Sequence, residues 1–246
     1  MAGILNSPTP QPPQIRRPLT LLHTSDLHLG HPAQGQKALA ALESVLSSAD
    51  RYAVDALIIA GDLFDTSRVT QEEANRVFGA LGSLGRPVIV LPGNHDVLLT
   101  SPSTSFSYER LPAQVHVLKA AGGESLSLET LGLSVWGRAV RNHGPAFRPL
   151  QGLPARPSNQ WYVAVAHGLV VDSNANGWSL PISMEDLARA DCDYIALGHM
   201  DEFEDVTQGP ARACYSGAPW GTRDPAVALV TLDKLRGVQV EAMPLL

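Results

Sequence analysis

The sequence predicts an α/β protein, and three observations carry this prediction. Short apolar runs, ALIIA, VIVL and YVAVA among them, contain no polar residue, which is typical of strands covered on both faces. Between the first of these runs, residues 36–49 and 71–84 place apolar side chains at helical spacing, so we expect two crossover helices. In the second half, the runs VHVL, LSLETL, LSVWGRAV, ARACYSG, VALVTL and VQVEAMPL alternate or are short, which indicates a second sheet of more antiparallel character.

The composition is that of a folded domain. Of the 246 residues, 44% are hydrophobic and 17% charged, which is far from the composition of disordered chains. We expect residues 1–17, which are rich in Pro and Gln, to form a flexible tail, and residues 18–246 to form one domain. Two cysteines are too few for a disulfide framework.

Charge and hydropathy bear on whether the protein binds membranes or nucleic acids. The apolar runs are far shorter than a membrane span, and the first residues contain no apolar signal region, so we expect a soluble cytoplasmic protein without a membrane partner. A net charge of −6 gives no overall basic footprint for nucleic acid. Arginines between residues 138 and 156 form a mildly basic segment, or are simply scattered solvated side chains.

Polar residues follow five of the apolar runs: LTLLHTSDLH, ALIIAGDLFD, VIVLPGNHD, YVAVAHG and YIALGH. Each group alone is ambiguous, because turns and caps favour the same residue types. In open α/β sheets, however, ligands bind beyond the carboxyl ends of the strands. We therefore expect these groups to meet at one edge, where they would form a site from Asp26, His28, Asp62, Asn94, His167 and His199.

The donors in this set suit divalent metal ions. Carboxylates, imidazoles and one amide carbonyl bind Mn²⁺, Fe²⁺ or Zn²⁺, and no thiolate is needed. Two ions roughly 3.5–4 Å apart can clamp the attacking and the leaving oxygen of a phosphoryl displacement. A carboxylate must bridge such a pair, and Asp62 is best placed in the order of the motifs.

The motifs D-x-H, G-D-x-x-D, G-N-H-D, a later His and G-H together resemble those of the calcineurin-like metallophosphoesterases. The segments LLHTSDLHLG, GDLFDTSR, PGNHD, DYIALGH and YSGAPWGTRDP are similar to those of the SbcD branch of DNA repair nucleases. This resemblance implies a four-layer α/β/β/α sandwich of two mixed sheets flanked by helices. It also implies a hydrolase of phosphate esters.

The resemblance also assigns roles to individual residues. Asp26 and His28 would bind the first ion, Asp62 would bridge, and the second ion would be bound by Asn94, His167 and His199. His95 matches the catalytic histidine that protonates the leaving oxygen or stabilises its charge. Asp65 matches the acid that orients this imidazole, the alternative being a cap for the residues that follow it.

Three further residues are candidate members of the site. Where the family usually has G-H-x-H, this sequence has Asp201 in place of the second histidine. We expect Asp201 to bind the first ion, the alternative being that it turns away and water completes the shell. Arg68 could hold a phosphate or pair with Glu72 on the next helix, and His31 could touch substrate or cover the strand end.

The implied reaction is hydrolysis of phosphodiester bonds by a hydroxide that bridges two ions, with manganese expected and iron or zinc as alternatives. For the substrate there are two hypotheses. The first is an SbcD-like nuclease acting on DNA. The second is a stand-alone phosphatase or phosphodiesterase for nucleotides or other small phosphate esters. SbcD-like proteins carry a DNA-contacting cap and a segment that docks on an SMC-like ATPase. We expect both to be absent here, which makes an ATPase partner doubtful.

Overall fold

The protein is described by a computed structural model that covers residues 16–66, 69–96, 110–172 and 177–245. Its described elements follow one another along the chain in this order: β1 Leu19–Thr24, α1 Gly35–Arg51, β2 Ala56–Ala60, α2 Gln71–Ser83, β3 Val88–Leu91, β4 Val115–Val117, β5 Glu124–Leu128, a 3₁₀ turn Glu129–Leu131, β6 Leu133–Gly137, β7 Trp161–His167, β8 Leu169–Val171, β9 Pro181–Ser183, α3 Met184–Arg189, β10 Tyr194–Gly198, β11 Phe203–Asp205, β12 Arg212–Ser216, β13 Ala226–Asp233 and β14 Gly237–Pro244.

The first sheet has six strands in the order β14-β13-β1-β2-β3-β4. Strands β1 to β4 are parallel, and β13 and β14 join them in antiparallel pairing. The two predicted crossover helices are confirmed as α1 and α2. A capping box fixes the start of α2, where Thr70 and Glu73 bond each other's backbone N–H groups.

The second sheet has the order β11-β12-β10-β7-β6-β5. Its four central strands, β6, β7, β10 and β12, are parallel, and only the edge strands β5 and β11 pair in antiparallel fashion. The expectation of a more antiparallel second sheet is therefore wrong for its centre. It is also wrong to place VHVL, VALVTL and VQVEAMPL there, since they form β4, β13 and β14 of the first sheet.

Three apolar layers hold the fold together and confirm the predicted sandwich. One cluster packs α1 and α2 on the outer face of the first sheet, and a second fills the space between the two sheets. A third covers the outer face of the second sheet, where the six-residue α3 and irregular chain provide the cover. Because β1, β2, β3, β7 and β10 are covered on both faces, the polar residues of the five motifs lie at or beyond the strand ends.

The described chain begins inside the predicted tail. Arg16 lies over the ring of Trp161, with 5.1 Å from its guanidinium carbon to the ring centre. Arg17 bonds Asp55 at 2.9 Å, and its carbonyl accepts a bond from Trp161. These two residues thus pack on the domain, while residues 1–15 lie outside the described part and the tail stays a prediction. None of the described helices is long and apolar enough to cross a membrane.

Candidate metal centre

The carboxyl ends of β1, β2, β3, β7 and β10 lie at one edge of the sandwich, as the strand pattern predicted. Within the first sheet β1, β2 and β3 are parallel neighbours, and within the second β7 and β10 are. The loops that leave β1 and β2 are tied together, because Asp26 N donates to the carbonyl of Gly61 and His28 N to that of Asp62, both at 3.0 Å. The first two motifs therefore form one rigid unit.

Four residues of this edge have a left-handed backbone. The φ angles are 54° for Asp26, 45° for His28, 52° for Asp62 and 99° for His199. Non-glycine residues seldom adopt this conformation, and such strain concentrates at functional sites. The neighbouring loops hold these angles in place, so the side chains leave the strand ends in directions that a regular strand does not allow.

Two motif glycines are needed because side chains of the site lie against them. A Cβ atom on Gly61 would overlap the ring of His167, and one on Gly93 would overlap the carboxylate of Asp62. Any larger residue would displace a candidate ligand. This explains in physical terms why glycine precedes Asp62 and Asn94 in the sequence.

His167 lies at the centre of one group of donors. Its Nε2 is 3.0 Å from Oδ1 of Asn94, 3.3 Å from Oδ2 of Asp62 and 3.3 Å from Nδ1 of His199. Its Nδ1 donates to the carbonyl of Ala60 at 2.9 Å. This bond fixes the ring and directs Nε2 toward the other donors, which is the usual arrangement of a metal-binding histidine.

A second group surrounds His28. Its Nε2 is 3.9 Å from Oδ1 of Asp26 and 3.9 Å from Oδ2 of Asp62. Ligand atoms of His28, Asp62 and His95 lie within 4.8 Å of one another, and so do those of Asp26, Asp62 and His167. Asp62 is the residue that belongs to both groups, which is where the sequence placed the bridging carboxylate.

Asp65 contacts both histidines of this second group. Its carboxylate Oδ1 is 3.1 Å from Nδ1 of His28, whereas Nδ1 of His95 is 2.9 Å from its backbone carbonyl and 3.8 Å from the carboxylate. The sequence assigned the carboxylate to His95. In the structure the carbonyl takes the shorter contact with His95, and the carboxylate lies behind His28.

His95 is the most accessible of these residues. Its side chain is 44% exposed and its ring stands edge-on to that of His28, with 4.6 Å between centroids. Its backbone N–H donates to Oδ1 of Asp62 at 2.9 Å. Of the two carboxylate oxygens of Asp62, one is therefore held by the backbone and the other faces His28 and His167.

The electrostatics of the group centre on Asp62 and His167. Burial lowers the pKa of His167, but the charges of Asp62 and Asp26 outweigh this and raise it to about 10. Burial raises the pKa of Asp62, yet the charge and hydrogen bond of His167 hold it well below its usual range. Without metal, these two residues therefore form a buried ion pair around neutral pH.

The pKa values of two residues next to this pair shift in the opposite directions: the pKa of a carboxylate is raised and that of an imidazole is lowered. Burial raises the pKa of Asp26 above its ordinary value, opposed by the charge of His167 and reinforced by that of Asp62. Burial and the charge of His167 lower the pKa of His199 to about 4. His199 is thus a neutral imidazole at physiological pH, as a metal ligand must be.

Sequence reasoning missed the role of Asp96, the last residue of the G-N-H-D motif. Its buried carboxylate accepts bonds from the backbone N–H groups of Gly93 at 2.9 Å, Leu63 at 3.1 Å and Phe64 at 2.8 Å. Burial and the charge of Asp62 raise the pKa of Asp96 to about 7. Asp96 therefore joins the loop after β2 to the loop after β3, and the only sequence signal is its place in the motif.

Trp220 supports the site from below. Its Nε1 donates to the carbonyl of Leu27 at 2.6 Å, between the two residues of the D-x-H motif. The contact favours packing, because the indole is half-buried and committed to the backbone.

The structure does not bring every predicted residue to the centre. Asp201 is exposed and belongs to neither donor group, although its carbonyl accepts a bond from Ala218 N at 2.8 Å. His31 accepts a bond from Ala33 N at 3.2 Å and lies edge-on to Trp220. Arg68 lies outside the described residues. His143 is exposed, and its charge helps to lower the pKa of His199.

The comparison that decides the family is the match of the calcineurin-like phosphoesterase profile to residues 19–202. The chain belongs to the calcineurin-like phosphoesterase family. This confirms the resemblance read from the five motifs. As a member, the protein is a hydrolase of phosphoester bonds. The family uses a divalent metal centre, and the mixed oxygen and nitrogen donors around Asp62 fit such a centre.

Two curated relatives are similar at low identity. The uncharacterized metallophosphoesterase YhaO of Bacillus subtilis (strain 168) is 26% identical over 224 residues, covering 81% of this chain and 52% of that protein. A subunit of the SbcCD nuclease of the same organism is 25% identical over 240 residues, covering 82% of this chain and 61% of that protein. The chain thus spans about half to three fifths of their lengths.

A solved structure shows the same fold. The protein TT1561 of Thermus thermophilus superposes with a TM-score of 0.58 at 12% sequence identity, covering 91% of this chain and 98% of that one.

Proposed function

We propose that this protein hydrolyses phosphodiester bonds in DNA or oligonucleotides, with Asp62 as the residue shared by two metal ions. The observation that carries the proposal is that Asp62 belongs to both donor groups, one of which also contains His95. The similarity to a subunit of the SbcCD nuclease supports a polynucleotide substrate. Manganese is the ion we expect, because carboxylate, imidazole and amide donors without thiolate suit it.

The proposed ligand assignments combine the two groups with the order of the motifs, since the donor atoms of Asp26 also lie within 4.8 Å of those of Asp62 and His167. His28 and Asp26 would hold the first ion, while Asn94, His167 and His199 would hold the second. Bound ions would supply Lewis-acid stabilisation of the phosphate charge and a water of lowered pKa. Burial of Asp26, Asp62 and His167 excludes bulk water from the ligand side of the site.

His95 is the candidate acid of the reaction. Its Nδ1 is held by the carbonyl of Asp65 at 2.9 Å, which leaves Nε2 for the substrate. From its exposed position it can give a proton to the leaving oxygen or stabilise charge that develops there. Asp65 would act on the centre in two ways, since its carboxylate also orients His28.

The test is a manganese-supplemented comparison of bis-p-nitrophenyl phosphate, p-nitrophenyl phosphate, and single-stranded and duplex DNA. We expect cleavage of the diester and of DNA, with loss of turnover in Asp62→Asn and normal turnover in Asp224→Asn, an exposed carboxylate outside both donor groups. Activity confined to the monoester would overturn the diesterase proposal and favour the small-molecule phosphatase. Full activity of Asp62→Asn would overturn the bridging assignment.

A further inference from the structure

A groove lies beside the metal centre, between the start of α1 and one face of α2. Its volume is about 300 Å³, which lies within the range of small-molecule sites. The buried side chains of Leu29, Phe64 and Val69 line it, together with those of His31, Leu39, Arg76 and the acidic Glu73. We call it the His31 groove.

The His31 groove is continuous with the catalytic edge through hydrogen-bonded backbone. Leu29 directly follows the candidate ligand His28, and Phe64 directly precedes Asp65. The two residues form a parallel β-bridge, and Asp65 N donates to the carbonyl of Leu29 at 2.9 Å. A substrate held by its phosphate at the metal centre would therefore have this groove beside it.

The lining combines apolar side chains with groups that bind planar rings. Leu39 is 41% exposed, and it is one of four large hydrophobic residues that are exposed in the described part of the chain. The side chain of Arg76 is 69% exposed and lies 3.6 Å from Glu72, a loose surface ion pair that a ligand can rearrange. Guanidinium and imidazole groups stack on aromatic rings and donate to their polar edges.

We propose that the His31 groove binds the nucleoside of a phosphodiester whose phosphate lies at the metal centre. The inference rests on the proposed function, since it names the part of the substrate that gives selectivity. The apolar lining receives the face of a nucleobase, while Arg76 and His31 reach its polar edge. A methyl group in the same position would leave the groove unused, so the groove separates nucleotide diesters from simple alkyl diesters.

The kinetic test compares thymidine 5′-p-nitrophenyl phosphate with methyl p-nitrophenyl phosphate, which share one leaving group. We expect Leu39→Asp to raise KM for the thymidine ester about tenfold, which corresponds to about 1.4 kcal/mol, and to leave kcat and the methyl ester unchanged. Leu235→Asp is the matched control, because Leu235 is 95% exposed in the turn between β13 and β14. An equal effect of Leu39→Asp on both esters would overturn the proposal.

A binding test separates the groove from the catalytic function. Thymidine is titrated into protein treated with chelator, and contact is followed by saturation-transfer NMR. We expect a signal in the wild type and in Leu235→Asp that is lost in Leu39→Asp and reduced in Arg76→Gln. Thymidine binding without any phosphodiesterase activity would support nucleoside binding in the groove and overturn the proposed function. Activity on the thymidine ester with no such binding would overturn the groove.

Discussion

The carboxylate of Asp65 lies 3.1 Å from Nδ1 of His28, a candidate metal ligand. The motifs had paired this carboxylate with His95, the candidate catalytic histidine. His95 is instead held by the backbone carbonyl of the same residue, at 2.9 Å. A side-chain substitution at Asp65 therefore removes one of these contacts and keeps the other.

This separation gives the first prediction. Asp65→Asn should weaken binding of one metal ion by about 10- to 100-fold, because a hydrogen-bonded carboxylate behind a ligating histidine raises the basicity of that ligand. The alkaline limb of the pH profile of kcat, where a general acid loses its proton, should stay in place, because the carbonyl that holds His95 is unchanged. Calorimetric metal titration and a pH–rate series measure the two effects. A displaced alkaline limb with unchanged metal affinity would show that the carboxylate serves His95.

Replacement of His95 tests its role as the acid. His95→Gln should lower kcat about 10²- to 10⁴-fold for alkyl or nucleoside leaving groups. The loss should be much smaller for p-nitrophenolate, which departs without protonation. Metal stoichiometry, measured by atomic emission, should stay at the wild-type value. Equal losses for good and poor leaving groups would argue that His95 acts on the metal centre and not as a proton donor.

The Asp62–His167 ion pair predicts that metal binding releases a proton. Because the pKa of His167 is raised to about 10, its Nε2 carries a proton at neutral pH that must leave before an ion can bind there. Affinity should therefore rise with pH up to that value, with about one proton released per protein. Calorimetry in two buffers of different ionisation enthalpy counts the protons. Absence of any buffer dependence near neutral pH would contradict the ion pair.

The pKa shifts of His167 and Asp62 also make the stability of the metal-free protein depend on pH. The pKa of His167 is raised, so its contribution is fully present below its ordinary value of 6.5 and is lost as pH rises toward about 10. The pKa of Asp62 is lowered, so its contribution is present above its ordinary value of 3.8 and is lost on acidification. The stabilisation that this ion pair gives to chelator-treated protein should therefore be largest between those two ordinary values, as thermal melts of the wild type and of His167→Gln across pH would show.

Asp96 is predicted to be a positioning residue. Asp96→Ala would leave three buried N–H groups, those of Leu63, Phe64 and Gly93, without their acceptor. Each N–H group left without an acceptor costs about 1–3 kcal/mol. The free energy of unfolding should therefore fall several times more than it does for an average substitution. Metal affinity should fall with it, because the two loops carry Asp62 and Asn94.

The control for this variant is Asp233→Ala. The carboxylate of Asp233 also accepts backbone N–H groups, from Leu235 at 2.7 Å and Arg236 at 3.0 Å, but in the turn after β13. Its loss should lower the melting temperature without changing metal affinity. If both variants lowered metal affinity equally, the effect of Asp96 would be one of general stability.

The strand ends of the site could be predicted because each combines two strong local signals. An apolar run such as ALIIA indicates a buried strand, and the polar residues after it can only lie at the carboxyl edge. Strand partners could not be predicted in the same way. The alternation in residues 237–244 marks a strand, but its pairing with β13, and that of β13 with β1, depends on contacts that no local pattern contains.

The separate contacts of Asp65 with His28 and His95, and the bonds of Asp96 to backbone N–H groups, could not be predicted for a related reason. Both depend on the direction of backbone N–H and C=O groups in loops with left-handed residues, and Asp62 has a φ of 52°. Sequence motifs fix which side chains are present but not which backbone groups face them. The motif G-N-H-D thus predicted Asn94 and His95 as site residues and gave no role to the residue that holds them in place.

Asp201 is a predicted metal ligand that the structure places away from both donor groups. The sequence predicts a ligand where the family usually has histidine, whereas the structure places this carboxylate in solvent and outside both donor groups. We therefore expect Asp201→Ala to bind the same number of ions as the wild type. Asp201→His, which restores the usual motif, should tighten the weaker site, because imidazole is a good ligand for Mn²⁺ and Zn²⁺ and adds no negative charge. Metal content after dialysis and calorimetric affinities measure both variants. Loss of one ion from Asp201→Ala would establish Asp201 as the ligand that the sequence predicts, with its carboxylate turning inward when the ion binds.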